Sequence, residues 1–353
     1  MVAAALAVLA LAAPAHWTRT DLPVPKAHPD LFVVSRGVTA RGDAIYEGTY
    51  GKADHLHQLA FLWHRGKAIP LTVPGATWVD VNAVNARGDV VGDANVHGGV
   101  AVLWRDGKPT LLAGAHSTAL GVSADGTAVG NDGGLTVVWR NGVETTLAGP
   151  SGRMLINAVG QVAYDTRGLD GLRHAFLWSN GTTTDLGSAG AADASVMALN
   201  DSGVVVGYAA NSLGVPVTAL EWANGETRNL GTFGAITSSA VDINDAGDVL
   251  VALASATGAV STAVVVRNGA PLAIPGGALI ATSLDEDGQV LGYTQTAKQA
   301  RRSFVWRNGR SVLLPTSDGA RPPWGSPNAI AGAWAVGDEY VGRTAHAVLW
   351  HRR

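Results

Sequence analysis

The sequence of 353 residues predicts an all-β fold, an eight-bladed β-propeller with four-stranded blades. Three observations lead there. Tryptophans recur at a regular interval, a tight Asn-Gly pair follows most of them, and a second turn, opened by Asn, Ser or Asp and closed by Gly, precedes them. Composition agrees: 45 residues are Gly, hydrophobic residues make up 47 %, and charged residues only 15 %, where about 25 % is usual.

The anchor comes first. Trp63, Trp104, Trp139, Trp178, Trp222, Trp306 and Trp350 stand 35 to 44 residues apart except for one double interval, and Val266 occupies the middle of that gap. Three residues before each anchor the side chain is small: Ala60, Ala101, Thr136, Ala175, Ala219, Ala263, Ser303 and Ala347. The residue two before is apolar, as in Phe61, Phe176 and Phe304. This strand is apolar on both faces, whereas a half-exposed strand would alternate. A sheet stacked between two others explains it.

The turn after the anchor comes next. Gly66, Gly107, Gly142, Gly181, Gly225, Gly269 and Gly309 follow their anchors by three residues, and Asn141, Asn180, Asn224, Asn268 and Asn308 head Asn-Gly pairs. Such pairs suit a type I′ hairpin, in which both central residues need positive φ. Upstream, Asn200-Asp201-Ser202-Gly203 before VVVGY and Asn244-Asp245-Ala246-Gly247 before DVLV mark the other turn. Asn85 to Gly88, Ser123 to Gly126, Asn157 to Gly160 and Asp285 to Gly288 repeat it, each opened by a side chain able to fold back on its own backbone. Two such turns per copy give four strands.

The ends complement each other. The last copy stops at Trp350-His351-Arg352-Arg353 without a fourth strand, and Thr18-Arg19-Thr20-Asp21-Leu22 resembles the fourth strand Thr182-Thr183-Thr184-Asp185-Leu186. Residues 17–22 are therefore expected to complete the last blade and close the ring, removing open sheet edges. Ahead of them, residues 1–15 (MVAAALAVLALAAPA) read as a secretory signal peptide with an A-P-A cleavage site, too short to span a bilayer. The absence of Lys or Arg before the apolar run places the expected translation start upstream of Met1. The mature chain, residues 16–353, is expected to be one secreted propeller domain and a monomer.

The segment His174-Ala175-Phe176-Leu177-Trp178, with Asn180-Gly181, Asp185-Leu186-Gly187 and Asn200-Asp201-Ser202-Gly203-VVVGY, resembles the bacterial HAF-type extracellular repeats. The resemblance covers nearly the whole mature chain and implies a secreted bacterial protein. It implies no reaction. Only His174 and His346 supply the eponymous His.

Composition narrows the partners. The chain has 25 basic and 28 acidic residues, a net charge of −3 and no cysteine. No basic stripe is present to displace counterions from nucleic acid, and neither disulfides nor thiol chemistry are available.

Strand alternation places both tight turns on one face and the variable connections on the other. The latter are 49–58, 93–99, 131–134, 165–173, 208–217, 252–261, 293–301 and 338–345 within copies. Between copies they include 73–80, 113–117, 148–153, 187–195 and 315–328. Variable loops on a rigid scaffold are where sites are built. Trp78 and Trp324 lie there and could stack on a sugar or aromatic ligand. Either could equally cover a blade edge. Tyr50, His55 and His57 lie in 49–58, and the two histidines would share one side of an extended strand. A zinc site needs a further ligand, so no metal and no cofactor are expected. Asp165, Arg167, Asp170 and Arg173 crowd one loop, as a solvated ion-pair cluster or a carboxylate clamp. The Asx-Gly turns of 242–248 and 285–288 lack the terminal Glu of a calcium loop and read as turn chemistry. No nucleophile-elbow, zincin, phosphate-loop or dinucleotide motif is present. The function expected is a non-enzymatic scaffold binding a glycan or protein on the variable face. The alternative is an extracellular hydrolase or lyase of carbohydrates or small molecules, sited at the channel mouth.

Overall fold

The Asn-Gly pairs form the predicted hairpins. Both central residues carry positive φ at Asn141 (52°) and Gly142 (77°), and at Asn224 (53°) and Gly225 (80°). In the first copy Arg65 adopts the same left-handed conformation before Gly66. The Asx turns form by side-chain to backbone hydrogen bonds. Asn200 Oδ1 accepts from Ser202 N at 3.1 Å and from Val204 N at 2.9 Å.

These turns organise a computed structural model that describes residues 16–25, 31–52, 55–96, 98–211, 213–254, 261–276, 279–295, 301–317, 324–341 and 344–353. The side chains of Lys52, His55, Leu56, Ser261 and Trp324 are outside that description, as is the expected signal peptide. The described residues hold 32 strands and no helix. Antiparallel four-strand runs follow one another along the chain, for example Val79–Val84, Val90–Ala94, Val100–Arg105 and Lys108–Ala115. Separate blades are not seen throughout: there are four four-stranded sheets and two eight-stranded ones. Each large sheet is two such runs joined by a single parallel pair, Arg173 with Asp193 or Arg301 with Trp324.

The strand Trp17–Asp21 pairs antiparallel with Thr344–Arg352 in the register Trp17 to Arg352 through Asp21 to Val348. It supplies the fourth strand of the last run, as the complementary ends predict. The first strand of each run packs on the first strand of the next, and Phe32–Val38 lies against Trp324–Ala331.

The core fills the seams between successive runs. One cluster joins Ile45, Leu62 and Leu71 to Val79, Val81, Val90 and Trp104. Apart from Trp63, which is half-buried, every anchor is buried, Val266 included. The strands leading to the anchors are covered on both faces, as their sequence requires.

The expected loop 49–58 is corrected. Strands Ala44–Lys52 and His55–His64 enter it from either side and pair, with Tyr50 opposite His57. Unlike a true loop, this alternating segment can satisfy its backbone by cross-strand pairing.

Candidate functional site

One repeat position governs every seam of interest: the residue that follows three buried residues of the second strand. In the fourth run it is Asp165, whose Oδ2 accepts from Ser195 Oγ at 3.0 Å and Val196 N at 3.3 Å on the fifth run. In the eighth run it is Asp338, which accepts from Ser35 N at 2.7 Å and Asn328 Nδ2 at 2.9 Å. In the second it is Asp93, beside Thr118 of the third. All three are buried. Each buried carboxyl is matched by donors on the next run, which is how such a group is tolerated.

The first seam departs from this rule. Its acid is Glu47, and the facing side chain is Asp80. Register identifies the exchange: Asp80 pairs with Asp93 as Ser195 pairs with Tyr208 and Thr118 with Asn131. A carboxyl thus stands where the seams of Asp93 and Asp165 place the hydroxyls of Thr118 and Ser195. Arg36 partly compensates. Its Nε donates to Glu47 Oε1 at 2.9 Å, and its Nη2 contacts the same oxygen and lies 3.9 Å from Asp80 Oδ1. Glu47 Oε2 has no partner among the described residues. Burial, then the neighbouring Asp80, push the Glu47 carboxyl well above the ordinary range against the pull of Arg36. Burial and the Asp80 charge push Asp93 up to about 6. Glu47 is 4 % exposed and Asp80 32 %. One carboxyl therefore meets solvent, with a buried acid of raised proton affinity behind it.

A polar cleft of about 500 Å³ opens between the fourth and fifth runs on the variable face. Asp165 forms its floor and binds the Arg173 guanidinium. A Cβ on Gly152 would collide with both partners, so a larger residue there would have to displace the pair. Asp193, Ser195, Tyr208 and Arg153 complete the polar lining.

The sequence-predicted residues are dispersed. Arg173 enters this cleft, whereas Arg167 is exposed and donates to the Gly171 carbonyl at 2.6 Å. The fourth member of that crowded loop, Asp170, pairs with His174, which also meets Asp185. Trp78 is half-buried and lines an apolar cleft of about 200 Å³ between the first two runs, with Gln58 and Phe61. Tyr50 stacks on His57 with ring centroids 5.0 Å apart. The side chains of His55 and Trp324 lie outside the described residues. Among the described residues no three His, Asp or Glu side chains gather as a metal site, and no helix is long and apolar enough to cross a membrane.

Sequence reasoning missed Glu47, Asp80 and Asp93. The signal was present in the repeat itself. Aligning the copies by register sets Asp80 beside the hydroxyls of Thr118 and Ser195 and the apolar Val34 and Ile280, which makes it the carboxyl among them.

Comparison with solved structures adds the fold's relatives. The Pyrococcus horikoshii acylaminoacyl peptidase in an orthorhombic crystal form is similar with a TM-score of 0.59 at 10 % identity. It is matched over 93 % of this chain and 52 % of its own. The fold is β-propeller-like. The uncomplexed P. horikoshii enzyme gives a TM-score of 0.53 at 11 % identity over 91 % of this chain and 52 % of its own. An acylaminoacyl peptidase in complex with Z-Gly-Gly-Phe-chloromethyl ketone gives 0.54 at 11 % over 93 % and 52 %. The chain thus spans about half the length of these propeller-type neighbours. No family profile and no curated protein matches the sequence. The expectation of a non-enzymatic binding scaffold is corrected by these neighbours, which are peptidases and favour the enzyme alternative.

Proposed function

We propose that the chain is an extracellular hydrolase of small substrates, sited at the channel mouth of a closed eight-bladed β-propeller. Its four-strand runs, and the packing of the first strand of the first run on that of the last, support the ring. The observation that carries the chemistry is Asp80, a carboxyl set against the buried acid Glu47, where the Asp93 and Asp165 seams set a hydroxyl against theirs. Two carboxyls brought together at a buried seam oppose stability, and such a conflict is where function is expected.

In this reading Asp80 takes a proton from the attacking water, while Glu47, held protonated by burial and by Asp80, supplies one to the leaving group. Arg36 spans both carboxyls and steadies the charge that develops between them. The neighbours' names suggest N-acylated aminoacyl substrates. The same reading takes the protein as a secreted, monomeric member of the HAF-type repeats.

The test incubates the full chain with chromogenic N-acyl-aminoacyl anilides and nitrophenyl glycosides. Wild type should turn over one series, and Asp80→Ser should lose that turnover while melting higher, because it replaces the second carboxyl by a hydroxyl donor like the one Ser195 gives Asp165. Turnover of neither series by wild type, or unchanged turnover by Asp80→Ser, would overturn the proposal.

A further inference from the structure

Three features of the cleft between the fourth and fifth runs are unused by the carboxyl pair at the first seam. The first is an excess of cation over committed anion at the floor. Asp165 is 1 % exposed and has both oxygens engaged, by Arg173 on one side and by Ser195 and Val196 on the other. Arg173 spends Nη1 on Asp165, yet its side chain remains 37 % exposed and lines the cleft. Arg153, exposed, lines it too, and forms no ion pair among the described residues.

The second feature is an uncommitted anion beside them. Asp193 is the register partner of Arg173 at the parallel pair that joins the two runs. Neighbours of opposite charge in that position would be expected to pair. Arg173 instead turns to Asp165, and Asp193 lines the cleft with no ion pair among the described residues. The third feature is an apolar side: Met197 and Leu213 border the same space, Leu213 being 84 % exposed. An apolar ligand group seated there would remove this surface from water.

We propose that this cleft binds an α-amino acid with an apolar side chain, as the zwitterion. The α-carboxylate would take the guanidinium groups of Arg153 and Arg173, whose planar forks suit a carboxylate. The α-ammonium would take Asp193, and the side chain would cover Met197 and Leu213. Charge of both signs in a single cleft selects a zwitterion over a simple anion, because a ligand with one charge leaves the other cleft group desolvated and unpaired. This assignment stands apart from the hydrolase reading: binding is measured in the absence of turnover.

Leucine is the probe, titrated calorimetrically into the full chain. One molecule should bind, and N-acetyl-leucine and leucinamide, each lacking one charge, should each bind at least about tenfold more weakly. Asp193→Asn should weaken leucine by a similar factor but leave N-acetyl-leucine unchanged. Arg153→Ala should weaken leucine and leave leucinamide unchanged. Neither variant touches the buried Asp165 pair, so both should keep the wild-type melting temperature. No heat with leucine at millimolar concentration, equal binding of all three compounds, or leucine affinity indifferent to both substitutions would each overturn the assignment.

Discussion

Asp338 and Ser35 meet across nearly the whole chain: 303 positions apart, they are joined by hydrogen bonds from Ser35 N at 2.7 Å and Ser35 Oγ at 3.0 Å to one carboxylate oxygen. Asn328 donates to the other Asp338 oxygen and to Ser35 O, each at 2.9 Å. Asp165 makes the same connection to Ser195 and Val196, so the contact between the ends of the chain is built like an interior seam.

Deletion of residues 17–22 should therefore do more than shorten a tail. Trp17 and Leu22 are each 5 % exposed, and the strand covers the edge of Thr344–Arg352. Its loss leaves a row of unpaired backbone groups. Calorimetry should show a lower melting temperature, and sedimentation should show concentration-dependent association. An unchanged melt would mean that the strand is dispensable.

Gly207→Ala should cost about 1–3 kcal/mol or more, as overpacking does. A Cβ there would strike the Ser195 carbonyl oxygen, where the first strand of the run shifts register between Val196 and Ala198. Gly225→Asn, at φ 80° in an open hairpin, meets nothing within 4 Å and should cost much less, since Asn tolerates the left-handed region. Urea titration of both variants compares the two costs.

The Asp93 carboxyl should make stability fall as pH rises. Its folded pKa, about 6, exceeds the unfolded value near 3.8, so the native state holds the extra proton between them. The associated stability is fully present below the unfolded value and is lost through the folded one, by about 3 kcal/mol at the usual 1.36 kcal/mol per unit. Asp93→Asn should flatten the dependence of the urea midpoint on pH across that window. A profile as steep as wild type would assign it to other groups, such as Asp242, also raised to about 6 by burial.

Trp178→Ala should destabilise by about 3–5 kcal/mol, the range for truncating a buried large aromatic. The indole is 8 % exposed and packs with Val138, Val162 and Tyr164. A single-Trp variant retaining Trp178 should resist acrylamide quenching, and free quenching would contradict its burial.

The legible part of this protein is the part written in neighbouring residues. Asn224-Gly225 announces its hairpin because positive φ is cheap for those two residue types. Asn200 announces its turn because its own side chain bonds the backbone two and four residues on. Repetition of both then fixes the strand count, and the resemblance of residues 18–22 to a fourth strand predicts the pairing with the last run. Less was legible where a residue serves two partners. The Asn157 side chain closes its own turn through Gln161 N at 2.8 Å, yet its Nδ2 also donates to Asn200 O at 2.8 Å, 43 residues on.

The candidate site belongs wholly to that second kind. Arg173 was visible as a charge in a crowded loop, but its commitment to Asp165 and its place beside Asp193 come from the pairing of the fourth and fifth runs. Glu47 is an ordinary acid in the sequence. Only when the second run is laid against the first does Asp80 face it, and only burial turns that contact into a shifted proton equilibrium. Turn chemistry and periodicity act over a few residues and can be read along the chain. The meeting of two carboxyls depends on strand register and desolvation at a seam, and both exist only once the sheets have packed.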